Sequence, residues 1–534
     1  MHAPVRIVIA LAATLVLAVS LASVASAAPP PPSPVLVEQA VAAGSLDYST
    51  GQLYIAYSMF AWDKLPVAYQ SPTPFDGTLW LLNLREGLDA MAPGAAKLEV
   101  AGMIGTGPTD PGTSVCDVLA PAPNTSTLAT PNYYIEYNAA EVNNGPDGVL
   151  IDYYAKSLES VWTTEVNRFG WAAPPTSLTN PAPQGKYLVK VQQLSPVLYG
   201  YVSNFGTGAG FVGDNPHTPW DDKDAYASCM GLNSDYNFFP GSPERALDAT
   251  TAHEFNHSIQ FGYGAIADDD GHDNEPDSVF VEGGATWMED EAMDHSNDNY
   301  NYLWPRFDND MGEYENSPYS YWITFRGLTE RYGASVAGGG ENIMQAFWEI
   351  TSRNEASNLR AMDKALRTKG TTLADAYHAY AIAVKFNKRC GRGYSYPYCF
   401  EEGPQYVSGD GVQEGAGETQ PHGAVTSVGG SYSGSAPDNY SLNWVTLPKA
   451  STTYTVRLEN TSTGGLFRTT VACDTGKGLT LTALSPLAGP GSTAQATLRK
   501  TAGCVQLVAV VTNVAETAPN PDTSASRAYT ISTL

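Results

Sequence analysis

The stretch Ala249–Gly264 reads ATTAHEFNHSIQFGYG, with Glu254 between two histidines four residues apart, His253 and His257. Residues four apart lie on one face of an α-helix, so both imidazoles can reach a single ion while Glu254 stands one step round. The flanking residues favour a helix. Ser242 suits the N-cap, Pro243 the first helical position, Glu244 the positive end and Gly262 the stop. The chain has only eight histidines in 534 residues, which puts the chance expectation for H-E-x-x-H at roughly one in a hundred. An ordinary helix carrying these residues is the bland alternative, and a third ligand decides between the two.

Three candidates follow: His272, Glu282 and His295. Gln260 and Tyr263 stand where a metzincin needs Gly and His, which excludes that arrangement. Residues 277–294, DSVFVEGGATWMEDEAMD, read as a second helix capped by Asp277, with Glu282, Ala285 and Glu289 on one face. Gly283 and Gly284 inside it cost about 1 kcal/mol each against Ala, a cost tolerable where two helices must approach closely to share an ion. His272 lies in the acidic loop DDDGHDNEPD (268–277), where solvation is the simpler reading, and His295 follows the helix end. Glu282 is therefore the expected third ligand. The acidic loop does not match an EF-hand, because His272 falls where an acid or Asn is required; Ca2+ there has no motif behind it.

HEFNH at 253–257 followed by EGGATWME at 282–289 resembles the gluzincin metallopeptidases, most literally their zinc aminopeptidase branch. The resemblance covers roughly residues 130–385, and the broader layout is similar to poorly characterised secreted bacterial metalloproteases. It implies one catalytic Zn2+ held by His253, His257 and Glu282, with Glu254 as general base to a zinc-bound water. Glu289 would hold a ligand histidine in the right tautomer, against the bland reading of a solvated surface acid. In that branch a Pro-Tyr opening a helix supplies a phenol that faces the zinc. Tyr319 holds that position after Pro318, with Ser317 as N-cap. A G-x-M-E-N-type segment, which grips a substrate amino terminus in the aminopeptidases, is missing ahead of the motif helix. The expectation is thus an endopeptidase acting on peptides or proteins. Its alternatives are an aminopeptidase, or a zinc-binding scaffold that cleaves nothing and attaches to a surface.

The remainder of the chain supplies context. NYYIEYN (132–138), KYLVKVQQL (186–194) and AYASCMGL (225–232) read as strands, the last placed in the chain as a substrate-pairing edge strand would be. Residues 148–170 show helical spacing up to Gly170, and helices dominate from 243 to about 385. After Cys399 the composition shifts to a Gly-rich stretch and then to short Thr/Val-rich strands. The predicted fold class is α+β: a zincin-like metallopeptidase domain followed by an all-β sandwich. The expected organisation is a signal peptide (1–27), an N-terminal region that is either a pro-segment or the first layer of the catalytic part (28–125), the peptidase domain (126–400), a linker (401–424) and the sandwich (425–534), which could bind a surface or matrix. A net charge of -26 disfavours nucleic acid as a partner. The leader, the lack of another spanning segment and six cysteines point to a secreted chain, free of the membrane after cleavage. Cys390–Cys399 and Cys473–Cys504 are the pairings that spacing favours, leaving Cys116 with Cys229 by elimination.

Overall fold

The computed structural model describes residues 30–105, 125–142, 148–176, 185–204, 211–222, 224–239, 241–264, 276–303, 311, 318–332, 342–408, 419, 421–516 and 525–534. The leader, Cys116, His272, Ser317 and most of the acidic loop lie outside these residues. The class is α+β.

Four helices come first: α1 (Ser33–Ala42), α2 (Tyr48–Phe60), α3 (Thr78–Gly87) and α4 (Ala95–Ile104). Asp47 caps α2 by accepting from the Thr50 N–H, and Gly105 closes α4 in the left-handed region. Strands β1 (Thr125–Ala129) and β2 (Tyr133–Asn138) lead into α5 (Ile151–Trp162). Then follow β3 (Tyr187–Gln192), β4 (Gly200–Asn204), β5 (Phe211–Gly213), β6 (Ala225–Tyr226) and β7 (Ser228–Asn233). Five strands align in the order β1-β2-β3-β7-β4. The pairs β2–β3 and β3–β7 are parallel, whereas β1–β2 and β7–β4 are antiparallel.

AYASCMGL therefore does not form an edge. Its main strand, β7, is buried along its whole length between β3 and β4, and β4 is the antiparallel edge. Chain order misleads here because β4 precedes β7 and then pairs on its outer side. Both faces of the sheet are covered, so β3 and β7 are buried along almost their whole length, Lys190, Ser228 and Asn233 included. Tyr133, Tyr187 and Val189 look toward Phe255 and the main core. Leu188, Leu198 and Tyr201 look the other way, against Val37, Met59 and Leu81 of the first helices.

The motif helix α6 (Pro243–Gly262) crosses the main-core face, followed by α7 (Ser278–Met293). Ser242 accepts from the Arg245 N–H at its start. The helix runs through Gly262 and not up to it. The left-handed glycine beyond its end is Gly264 (φ 66°), while Gly262 leaves room for Pro174 and Pro175. Asp277 holds the N-cap position of α7 without a side-chain capping bond. A single 3-10 turn, Pro318–Tyr321, opens onto α8 (Trp322–Tyr332), and α9 (Asn342–Ser352), α10 (Asn358–Arg367) and α11 (Leu373–Phe386) complete the helical part.

The C-terminal strands are β8 (Gly423–Ala424), β9 (Ser431–Pro437), β10 (Ser441–Thr446), β11 (Tyr454–Asn460), β12 (Leu466–Asp474), β13 (Leu479–Ala483), β14 (Leu487–Ala488), β15 (Thr493–Leu498), β16 (Gln506–Asn513) and β17 (Ser526–Thr533). One sheet runs β13-β12-β16-β10-β8 with β14 beside β12, and the other runs β15-β11-β17-β9. Val456, Leu458, Val511 and Ile531 share an apolar core between them. The outer face of the first sheet is not solvated. Leu442, Trp444, Val508 and Val510 join the helical core. The Trp444 indole donates to the Ala381 carbonyl at 3.2 Å, and both ring nitrogens of His378 lie 2.9 Å from threonine hydroxyls, Thr512 and Thr470.

Disulfides join Cys390 to Cys399 and Cys473 to Cys504. Cys229 is disulfide-bonded too. No helix among the described residues is long and apolar enough to cross a membrane.

Candidate metal centre

His253 and His257 leave adjacent turns of α6, and Glu282 reaches them from α7. The two Nε2 atoms lie 3.0 Å apart, and Glu282 Oε2 lies 3.1 Å from His253 Nε2 and 3.3 Å from His257 Nε2. All three residues are buried. Gly283 packs not against α6 but against the Pro318–Tyr321 turn and α8. A Cβ there would meet the Phe325 ring, the Pro318 carbonyl and Tyr321 Cβ at 3.0–3.1 Å.

The tautomers follow from the other ring atoms. His253 Nδ1 lies 2.8 Å from Glu289 Oε1, so Nδ1 carries the proton toward that carboxylate. His257 Nδ1 lies 2.8 Å from Gln260 Oε1. The Gln260 amide orientation is set by its NH2 group, which donates to Asn256 Oδ1 and to the Val281 carbonyl. With Nδ1 engaged in this way, both rings turn Nε2 inward, toward each other and toward Glu282. Three converging lone pairs repel unless a cation lies among them. Electrostatics agree. Burial alone would lower the proton affinity of His253, but Asp76, Glu282 and Glu289 outweigh it and raise it well above the ordinary value. Burial alone would raise Glu282, but His257 and His253 bring it down to about 2. The cage favours positive charge at its centre, and these three residues could hold a metal ion.

Glu254 is also fully buried, and burial, ahead of the nearby charges, holds its carboxyl well above the usual range. Its Oε2 accepts from the Thr78 hydroxyl at 2.8 Å, while Oε1 has no hydrogen-bond partner. Glu289 is buried behind His253, and burial lifts it to about 8. It is no solvated surface acid. The Tyr319 ring lies 5.8 Å from the His253 ring and stacks on Tyr302 at 4.9 Å. Burial, reinforced by Glu282 and Asp76, keeps its phenol protonated. His295 is apart from the cluster, mostly exposed and paired with Asp248 at 2.9 Å.

The sequence reading missed Asp76, Thr78 and the part played by Gln260. Asp76 is buried among the cluster charges and accepts from the Tyr302 phenol at 3.2 Å. Gln260 was legible, since it lies three residues after His257 on the same helical face. Asp76 and Thr78 carry no local signal, because Thr78 is 176 residues from its partner. A scan against protein-family models finds no match to the chain, and a search of curated proteins finds none either.

Proposed function

We propose that the protein is a secreted, zinc-dependent endopeptidase of the gluzincin type, with a zincin-like catalytic part and a β-sandwich accessory part. The observation that carries this reading is the pairing of a closed His-His-Glu donor set with a buried carboxylate, Glu254, whose Oε1 is unpartnered one helical step away. The donor set of two imidazoles and one carboxylate suits zinc and leaves a fourth position open. Bound there, zinc supplies Lewis acidity toward a peptide carbonyl.

The chain's own residues account for the rest. Glu254 Oε1 takes a proton from the attacking water and delivers it to the departing amine nitrogen. The neutral phenol of Tyr319 donates to the oxyanion that develops on the former carbonyl oxygen. Glu289 and Gln260 hold the two imidazoles in the tautomer that keeps both Nε2 atoms free. The two disulfides fit an oxidising destination.

The test is a mixed peptide library incubated with the zinc-loaded protein, with Glu254→Gln and with chelator. Internal cuts that vanish in both controls are expected; the amide cannot take the water's proton, and turnover should fall about 10²–10⁴-fold. Zinc binding with no cuts anywhere would favour the surface-attaching scaffold. Trimming from amino termini alone would favour an aminopeptidase.

A further inference from the structure

The N-terminal helices do more than cover a sheet face. Phe75 and Gly77 run along the outer side of the edge next to β4. The Phe75 N–H donates to the Val197 carbonyl at 2.9 Å, the Tyr199 N–H to the Phe75 carbonyl at 3.0 Å, and the Gly77 N–H to the Gly200 carbonyl at 2.9 Å. Only glycine fits at 77, where a Cβ would meet the Gly200 oxygen, Met59 and Leu198 within 3.0 Å. This close approach delivers Thr78, itself fully buried, to the catalytic helix.

The Thr78 hydroxyl has one proton to give. It accepts the Val202 N–H at 2.8 Å, and its proton goes to Glu254 Oε2 at 2.8 Å. One oxygen of the glutamate is thereby fastened to the sheet edge through a rotor with both roles filled. The other oxygen stays unpartnered. A carboxylate with one anchored and one free oxygen is what a positioned proton acceptor requires.

We propose that Thr78 is the positioning residue of Glu254 and that residues 30–105 are a permanent wall of the working enzyme, not a pro-segment lost on activation. The catalytic half of this statement rests on the peptidase reading above; the anchoring half does not. Removing the region would also bare Leu188, Leu198 and Tyr201 on the sheet.

Three measurements test it. The first is a double-mutant cycle of Thr78→Val and Glu254→Leu, which removes the acceptor, on the unfolding of the metal-free protein; it needs no activity. Clear coupling is expected, and additive effects would overturn the anchor. The second is steady-state kinetics of Thr78→Val and Thr78→Ser at equal zinc content. The valine variant should lose up to about 100-fold in kcat with KM little changed, and serine, which keeps both bonds, should restore most of it. Equal activity in all three proteins, or a serine variant as poor as valine, overturns the role. The third is the intact mass of the active species: retention of residues 30–105 supports the proposal, and an active species lacking them overturns it. If the cycle shows coupling while the wild-type protein cuts nothing, the anchor stands and the peptidase reading falls.

Discussion

The two histidines at the centre each have two contacts, one inward and one that fixes the ring. Glu282 has only the inward one, since its Oε1 is buried with no hydrogen-bond partner. Glu282→Ala should therefore lose zinc, whereas His295→Ala should keep it, because His295 is engaged with Asp248 away from the cluster. Metal analysis after dialysis checks both, and zinc loss in the His295 variant alone would refute the ligand set. Tyr319→Phe removes a hydroxyl and leaves the ring stacked on Tyr302. Folding and zinc content should survive, and kcat should fall about 10²–10³-fold if the phenol meets the oxyanion. A change confined to KM would make Tyr319 a binding residue.

Among the elements, α7 shows how two adjacent glycines differ. Gly283 faces Phe325, Pro318 and Tyr321 at 3.0–3.1 Å, while a Cβ on Gly284 would find only ordinary contacts beyond 3.4 Å. Gly284→Ala should be neutral or gain up to about 1 kcal/mol from helix propensity. Gly283→Ala should cost about 1–3 kcal/mol by overpacking against backbone and ring. Thermal unfolding of the two variants checks the difference, and matched midpoints would show that the helices yield. Where α11 meets the C-terminal strands, burial and then Arg468 lower the His378 pKa from 6.5 to about 4. The unfolded chain then binds a proton between those values that the folded chain refuses. Stability is complete above pH 6.5 and falls as pH drops toward 4. At ~1.4 kcal/mol per unit the ceiling is about 3.5 kcal/mol, reduced because the ring is only partly buried from solvent. Urea unfolding of wild type and His378→Gln across that window should show the loss in wild type and a flatter response in the variant.

Across the whole molecule, the C-terminal strands are tied to the helical part by a core, not only by a linker. Trp444, Leu442 and Val510 pack into the helical core, and each large side chain contributes roughly 1.5–3 kcal/mol by burial. A chain ended at residue 415 should unfold at lower temperature than the full chain and expose apolar surface. Calorimetry and dye binding check this; an unchanged Tm would mean that the interface is dispensable.

What the sequence by itself determined is local. The H-E-x-x-H helix, the second helix with Glu282, and the strand patterns at 441–446 and 454–460 depend on periodicity, capping and residue type over a few turns. Those signals act between neighbours in the chain, so they survive without tertiary context. The placement of Glu289 on the face of Glu282 was legible for the same reason, and its burial was not. Only the tertiary structure decided which strand is the edge, because pairing partners are chosen by long-range packing and not by order along the chain. It alone brought Thr78 to Glu254, through a buried hydrogen bond spanning 176 residues, and placed Asp76 among the cluster charges. It also decided that the outer face of β10 and β16 is covered by the helical core, since a tryptophan in a strand looks the same whether water or a helix lies beyond it.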